Sequence, residues 1–227
     1  MKINLLDTEL FRGFDEEETR ILLQSLEADE KNYKKGQVIL REGEPTNRIG
    51  IVLSGMAVVM YSDMWGNNSI LGNSPPGAVF AEVYACIPDR PLPVSVYAAA
   101  ETDILFLNVR KMMTCDTADS FNMRFIRNLL TVCAGKSLQL SSRILHTSPK
   151  SIRGRLLSYF SECARKAGDC SFEIPYSRQQ LADYLGVDRS SMCSELSKMQ
   201  KDGLIRYEKK QFVINKQEAV RQDLFPV

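Results

Sequence analysis

Residues 177 to 206 read SRQQLADYLGVDRSSMCSELSKMQKDGLIR. Ser177, followed three residues later by Gln180, forms the sequence pattern of a capping box, and Leu181 with Leu185 gives the helix it opens an apolar face. Gly186 supplies a tight turn. Asp188 is placed to cap a second helix that runs to about Asp202, where Gly203 stops it, and Met192, Leu196 and Met199 form its buried stripe. At roughly 100° per residue, Ser190, Ser194, Ser197 and Lys201 project away from that stripe, with Arg189 in the first turn. The second helix thus offers hydroxyls, a guanidinium and an ammonium to whatever lies outside. This arrangement suits the major groove of DNA, where the first residues of a recognition helix reach base edges. The competing reading is two helices of an ordinary core joined by a glycine.

The rest of the chain sets the context for that helix pair. At 227 residues it has room for two compact domains. No apolar run approaches the roughly 18 residues of a membrane span, and the acidic N-terminus carries no apolar signal-peptide core, so a cytoplasmic protein with no membrane partner is expected. The net charge of +1 hides an asymmetry: residues 1 to 146 hold 15 Lys/Arg against 18 Asp/Glu, and residues 147 to 227 hold 14 against 10. The basic character lies with the helix pair, as a polyanion-binding domain needs. Six cysteines (Cys86, Cys115, Cys133, Cys163, Cys170 and Cys193) form no C-x-x-C pair, and the only histidine is His146. No zinc or haem site is legible, and the cysteines read as buried reduced thiols. With one histidine, no P-loop and no nucleophile elbow, nothing assembles a reaction centre, and an enzyme is not expected.

From about Asn32 to Leu107, short β-branched or alternating runs are punctuated by glycines at 36, 43, 55, 66 and 77, the pattern of an all-β roll or barrel. The runs are 38 to 40, 49 to 53, 56 to 61, 69 to 71, 94 to 98 and 104 to 107. Ahead of them, Asp15 and Glu16 to Glu18 open a short helix through Leu26, with carboxylates where the helix dipole favours them.

A long helix is expected from about Asp119 to Leu145, bearing two apolar stripes. Ile126, Leu130, Cys133, Ser137, Leu140 and Ile144 follow alternating steps of four and three, the seam of a coiled coil, while Phe121, Phe125, Leu129 and Val132 make a neighbouring stripe suited to packing on the roll. A helix with two faces to bury implies two partners, and we read the first stripe as a parallel homodimer seam. Ser148 then caps a new helix with Pro149 in its first turn, making a hinge. The fold class is therefore α+β: an N-terminal helix and all-β roll or barrel (1–118), a long dimerisation helix (119–146) and a C-terminal domain built on the helix pair (147–227).

Taken in order, these segments resemble the Crp/Fnr family of bacterial transcription regulators. In the front half the resemblance lies in Tyr33 to Ile39, Arg41-Glu42-Gly43-Glu44-Pro45, Ile51 to Gly55 and Pro76-Gly77-Ala78-Val79-Phe80-Ala81-Glu82. In the back half it lies in Arg178 to Leu185, Gly186-Val187-Asp188-Arg189 and Asp202 to Ile205, followed by a winged hairpin with Lys209-Lys210 near its tip and Phe212 to Ile214 as its return strand.

The resemblance implies that residues 1–118 form a double-stranded, jelly-roll-like β-roll sensor and residues 147–227 a winged helix-turn-helix DNA-binding domain, in a homodimer that binds an inverted repeat in double-stranded DNA and works with RNA polymerase. It carries base contact onto Arg189, Ser190 and Ser194, and makes Ser177, Arg178, Gln179, Lys209 and Lys210 candidates for phosphate contacts. In the family's nucleotide binders, a Gly-Glu pair and a following Arg-Ser hold the ribose and cyclic phosphate. Here Ala81-Glu82 keeps the carboxylate, but Val94-Ser95 stands where Arg-Ser belongs, with Arg90 nearby in sequence as a substitute. Leu140-Ser141 falls where cyclic AMP binders offer two hydroxyls. Those seven residues are the candidate effector pocket, for a small molecule of unknown identity other than cyclic AMP, or for none. No cysteine precedes Cys86, which speaks against the iron-sulfur branch, and His146 is not in the roll, which speaks against haem. Two alternatives stay open: a ligand-binding module that acts through protein contacts, and a thiol-based redox sensor using Cys133 at the seam.

Overall fold

A computed structural model describes residues 2–65, 68–111 and 120–215. The chain divides into two compact units, Met1–Gly135 and Lys136–Val227, and the division falls inside one long helix.

The first unit begins with two short 3-10 turns and helix α1 (Glu16–Ser25). Asp15 caps α1, accepting from the Glu18 amide at 2.8 Å while the Glu18 carboxylate accepts from the Asp15 amide at 3.2 Å. Eight strands follow: β1 (Asp29–Tyr33), β2 (Val38–Leu40), β3 (Arg48–Ser54), β4 (Ala57–Ser62), β5 (Asn68–Ser74), β6 (Val79–Phe80), β7 (Ser95–Ala98) and β8 (Thr102–Asn108), with helix α2 (Glu82–Cys86) between β6 and β7. They build two antiparallel sheets of four strands, ordered β1-β8-β3-β6 and β2-β7-β4-β5. The six runs expected from the sequence are β2, β3, β4, β5, β7 and β8. β1 and the two-residue β6 were not among them: Asp29-Glu30-Lys31-Asn32-Tyr33 has no apolar alternation, and backbone pairing with β8, from Asp29 opposite Phe106 to Tyr33 opposite Thr102, makes β1 an edge strand, while β6 is too short to show alternation.

One core of the roll contains Ile39, Val52, Phe80, Val96, Ile104 and Phe106. Gly50 sits where a β-carbon would overlap the Phe80 ring, so only glycine lets that phenylalanine close the interior. A second core gathers Leu10, Phe11, Ile49, Ile51 and Leu107 with Phe125 and Leu129. The last two come from the long helix α3 (Ser120–Thr147), and the Phe11 and Phe125 rings meet edge-on at 5.9 Å. Asn128 of α3 donates to the carbonyls of Leu10 and Arg12 at 3.0 and 2.9 Å, and Arg124 donates to Glu18 at 2.6 Å. The stripe of Phe121, Phe125, Leu129 and Val132 thus packs on the roll's second core. Asp119 and Cys115 lie outside the described residues.

The second unit contains the end of α3, then α4 (Ile152–Ala167), β9 (Ser171–Glu173), α5 (Arg178–Leu185), α6 (Arg189–Lys201), β10 (Ile205–Glu208) and β11 (Gln211–Ile214). β10, β11 and β9 form an antiparallel sheet in that order. Its core is built around Phe160 of α4, whose ring lies 4.7 Å from Phe212 and 5.8 Å from Phe172. The expected cap at Ser148 is corrected. Ser151 caps α4, accepting from the Gly154 amide at 3.0 Å, while the Ser148 hydroxyl donates to the Ile144 carbonyl at 2.7 Å and closes α3. The two hydroxyls are engaged differently: that of Ser148 is turned back onto the preceding helix, and that of Ser151 faces the first amides of α4.

Candidate nucleic-acid interface

The helix pair forms as its sequence implies. The Gln180 amide donates to the Ser177 hydroxyl at 3.3 Å and the Ser177 amide donates to the Gln180 side chain at 2.9 Å, completing the capping box. Gly186 ends α5 at φ +63°, a left-handed conformation that glycine adopts without strain. Asp188 caps α6, accepting from the Ser191 amide at 2.8 Å and from the Ser190 hydroxyl at 2.6 Å. Those bonds, led by that from Ser190, hold its carboxyl down at about 2.

Met192, Leu196 and Met199 are buried, and Arg189, Ser190, Ser194, Ser197 and Lys201 are exposed. Two of the hydroxyls have intrachain acceptors: Ser190 donates to Asp188, and Ser197 donates to the Cys193 carbonyl at 3.1 Å. Arg189, Ser194 and Lys201 are exposed on the same face.

Two arginines outside the expected site hold the unit together. Arg153 of α4 donates to Glu195 at 2.6 Å and to Asp202 at 2.8 Å, tying α4 to the middle and end of α6. Arg155 donates to the carbonyls of Leu185 and Gly186 at 2.9 and 3.1 Å, and to Pro149 at 2.9 Å, gripping the turn between α5 and α6. Their only sequence signal is a pair of cations two residues apart on a helix, which reads equally well as a solvated face.

The five residues expected on phosphates are engaged to different degrees. Arg178 is half-buried, its guanidinium 4.9 Å from the centroids of both Tyr207 and Phe212, and it donates to the Lys209 carbonyl at 3.0 Å. It therefore clamps the start of α5 onto the β10–β11 turn, where Lys209 adopts φ +52°. Lys210 donates to the Pro175 carbonyl at 2.9 Å, and Gln179 donates to Asp183 at 2.8 Å. Ser177, Gln179, Lys209 and Lys210 are exposed. The wing and the start of the helix pair are brought together, with Arg178 as the structural link between them.

Along α3, Ile126, Leu130, Ser137, Leu140 and Ile144 are exposed, while Cys133 is half-buried against the core beneath the roll. Burial pushes His146, in the last turn, below the ordinary histidine value, with Glu162 pulling the other way. Its Nε2 lies 2.8 Å from Glu162, and its Nδ1 lies 2.8 Å from the Tyr184 hydroxyl.

In the roll, Ala81 holds a left-handed conformation at φ +61° at the start of α2, and Glu82 is buried. Val94 is half-buried, Ser95 accepts from the Glu42 amide at 3.0 Å, and Arg90 is exposed. At the place expected for a cyclic phosphate there is thus an aliphatic side chain, beside a hydroxyl that a backbone amide already engages. Leu140 and Ser141 are exposed on the part of α3 that belongs to the second unit. Among the described residues no group of three His, Cys, Asp or Glu could hold a metal ion, and no helix is long and apolar enough to cross a membrane.

Comparison with known proteins agrees with this construction. Residues 30–115 match the cyclic nucleotide-binding domain model and residues 154–222 match the Crp-like helix-turn-helix domain model. The chain is 22% identical over 193 residues to the transcriptional activator protein FnrL of Cereibacter sphaeroides, covering 81% of this chain and 75% of that protein. In fold it is similar to CprK in complex with OCPA, at TM-score 0.58 and 17% identity over 87% of this chain and 89% of that one. It is also similar to the c-di-GMP-responsive global regulator CLP of Xanthomonas campestris, at TM-score 0.54 and 17% identity over 88% and 99% of the two chains. With a cyclic-nucleotide-binding-type roll followed by a Crp-like helix-turn-helix, the chain belongs to the Crp/Fnr family of transcription regulators and is not an enzyme.

Proposed function

We propose that the protein works in the cytoplasm as a homodimer on an inverted repeat, with α6 of each copy in successive major grooves and RNA polymerase as a partner. The observation that carries this reading is the second unit itself. Its α6 is fixed from behind by Arg153 and Arg155, and its outer face is left to Arg189, Ser190, Ser194 and Lys201. Arg189 reads a guanine, Ser190 and Ser194 discriminate weakly among bases, and DNA shape carries the remaining specificity. Ser177, Gln179, Lys209 and Lys210 set the register on phosphates. Arg178 contributes charge there while holding the wing.

The dimer forms along Ile126, Leu130, Cys133, Ser137, Leu140 and Ile144. The roll is the sensor of an effector, with Ala81, Glu82, Arg90, Val94 and Ser95 as its candidate contacts and Leu140 and Ser141 on the helix. Val94 favours an effector other than a cyclic nucleotide, since an aliphatic side chain does not replace the guanidinium a phosphate needs. The half-buried position of Cys133 favours a packing role over a thiol sensor.

A gel shift on an inverted repeat upstream of the protein's own gene, repeated across salt concentrations, tests the reading. Arg189→Ala is expected to lose about 1 to 3 kcal/mol on the specific site and to relax preference at one G·C position. Equal loss on random DNA would make Arg189 a phosphate contact, and a salt-insensitive or absent shift would favour a module acting through protein contacts.

A further inference from the structure

The second unit contains a cavity that none of the roles above uses. It is an open cleft of about 720 Å³ and draws its walls from the end of α3, from α4, from β9 and the segment after it, and from α5. That volume lies within the roughly 300–1,000 Å³ typical of small-molecule pockets. Tyr159, Tyr176 and Tyr184 line it as a connected group of rings, with Tyr176 stacked on Tyr184 at 5.3 Å and Tyr159 5.5 Å from Tyr184. His146 joins them, its ring 5.4 Å from Tyr159 and 5.8 Å from Tyr184.

The charged groups in this wall leave one carboxylate in excess, and the Arg143 guanidinium, 5.8 Å from the Tyr184 ring centroid, stands outside the lining. Glu162 and Glu173 both line the cavity, and Lys166 is its one lysine. Lys166 is paired with Glu162, which also faces His146. Glu173 accepts from the neutral Gln211 side chain at 3.0 Å, which leaves its charge in place. Aromatic faces beside carboxylates attract organic cations, because the negative ring faces and the carboxylates act in the same direction, whereas an anion meets repulsion from both.

From this geometry we infer that the cavity is an effector site for a flat organic cation, stacked on the tyrosines and held by Glu173. The occupant would touch Ser142 and His146 on α3 and Tyr184 on α5 together. Those two helices are already locked by Arg143, which donates to the Tyr184 and Asp183 carbonyls at 3.1 and 3.2 Å, and by the His146–Tyr184 bond. A ligand wedged there changes the angle at which α3 carries the helix-turn-helix. That regulatory consequence rests on the DNA-binding reading; the binding itself does not.

Rhodamine 6G and fluorescein share a flat xanthene body and carry opposite charge at pH 7.5, so fluorescence anisotropy with the full chain and no DNA tests the site. Saturable binding of rhodamine 6G is expected, at least about tenfold tighter than any binding of fluorescein. Glu173→Gln and Tyr176→Ala should each weaken it by about tenfold, and Tyr176→Phe, which keeps the ring, by less than about threefold. Thermal unfolding of each variant confirms that the fold is intact. Absence of saturable binding, equal binding of the two dyes, or indifference to Glu173→Gln and Tyr176→Ala would each overturn the site. A gel shift without dye separately tests DNA binding. If DNA binds and rhodamine binds but leaves the shift midpoint unchanged, the regulatory role is refuted while the site stands.

Discussion

Leu130→Ala gives a direct test of the seam on the long helix. In the single chain Leu130 is 67% exposed. Complete burial of a leucine side chain is worth about 1.5–3 kcal/mol, so covering the remaining two-thirds contributes about 1–2 kcal/mol per protomer. A two-fold axis uses every seam residue twice, so the dimer should lose about 2–4 kcal/mol, and at about 1.4 kcal/mol per decade its dissociation constant should rise roughly 30- to 700-fold. Leu138 is the internal control: it is 70% exposed, yet at roughly 100° per residue it lies about 120° around the helix from the centre of the seam. Sedimentation equilibrium at micromolar protein should show Leu130→Ala shifted towards monomer and Leu138→Ala unchanged. Equal effects of the two substitutions, or none at Leu130, would refute the assignment of the seam.

Two further outcomes follow from the second unit. Phe160 is fully buried among Phe172, Phe212 and Tyr159, so Phe160→Ala should destabilise the fold by about 3–5 kcal/mol in urea unfolding, and a loss below about 1 kcal/mol would contradict the ring packing. His146 faces Glu162, Tyr159 and Tyr184, with Lys166 and Arg165 also lowering its proton affinity, and burial is the largest cause of its downward shift. A folded value below the unfolded one means that the unfolded chain binds the extra proton first. The stability contributed by neutral His146 is therefore complete above about 6.5 and is lost as the pH falls through that value towards the folded one. Urea midpoints measured at pH 7.5 and 5.5 should fall further for the native chain than for His146→Gln; parallel falls would show that His146 does not carry the dependence.

What could be read from the sequence and what could not divides along a physical line. The helix pair was legible because each of its signals is local: Ser177 caps Gln180 three residues away, Gly186 supplies its own left-handed turn, and Asp188 caps the next amides. The apolar strands of the roll were legible for the same reason, since alternation is written along the strand itself. β1 was not, because Asp29 to Tyr33 becomes a strand only by pairing with residues some seventy positions away. The cap at Ser148 was misplaced because Ser148 and Ser151 offer the same hydroxyl, and only the folded chain shows that Ser148 turns back to the Ile144 carbonyl while Ser151 meets the Gly154 amide.

The same distinction separates the residues proposed to read DNA from those that steady them. Spacing along one helix places Arg189, Ser190, Ser194, Ser197 and Lys201 on its outer face, and the family resemblance carries base contact onto Arg189, Ser190 and Ser194. Arg153 and Arg155 act across the unit, on Glu195 and Asp202 and on the α5–α6 turn, and their partners are 30 to 49 residues distant. His146 behaves in the same way. Its partners lie 38 residues away at Tyr184 and on the next helix at Glu162, so the sequence shows a lone histidine near a chain break and the fold makes it a bridge. Long-range polar links of this kind join α3 to α5, the first helix of the pair. On the proposed function, specificity is carried by one helix, whereas any control over it depends on the contacts between helices.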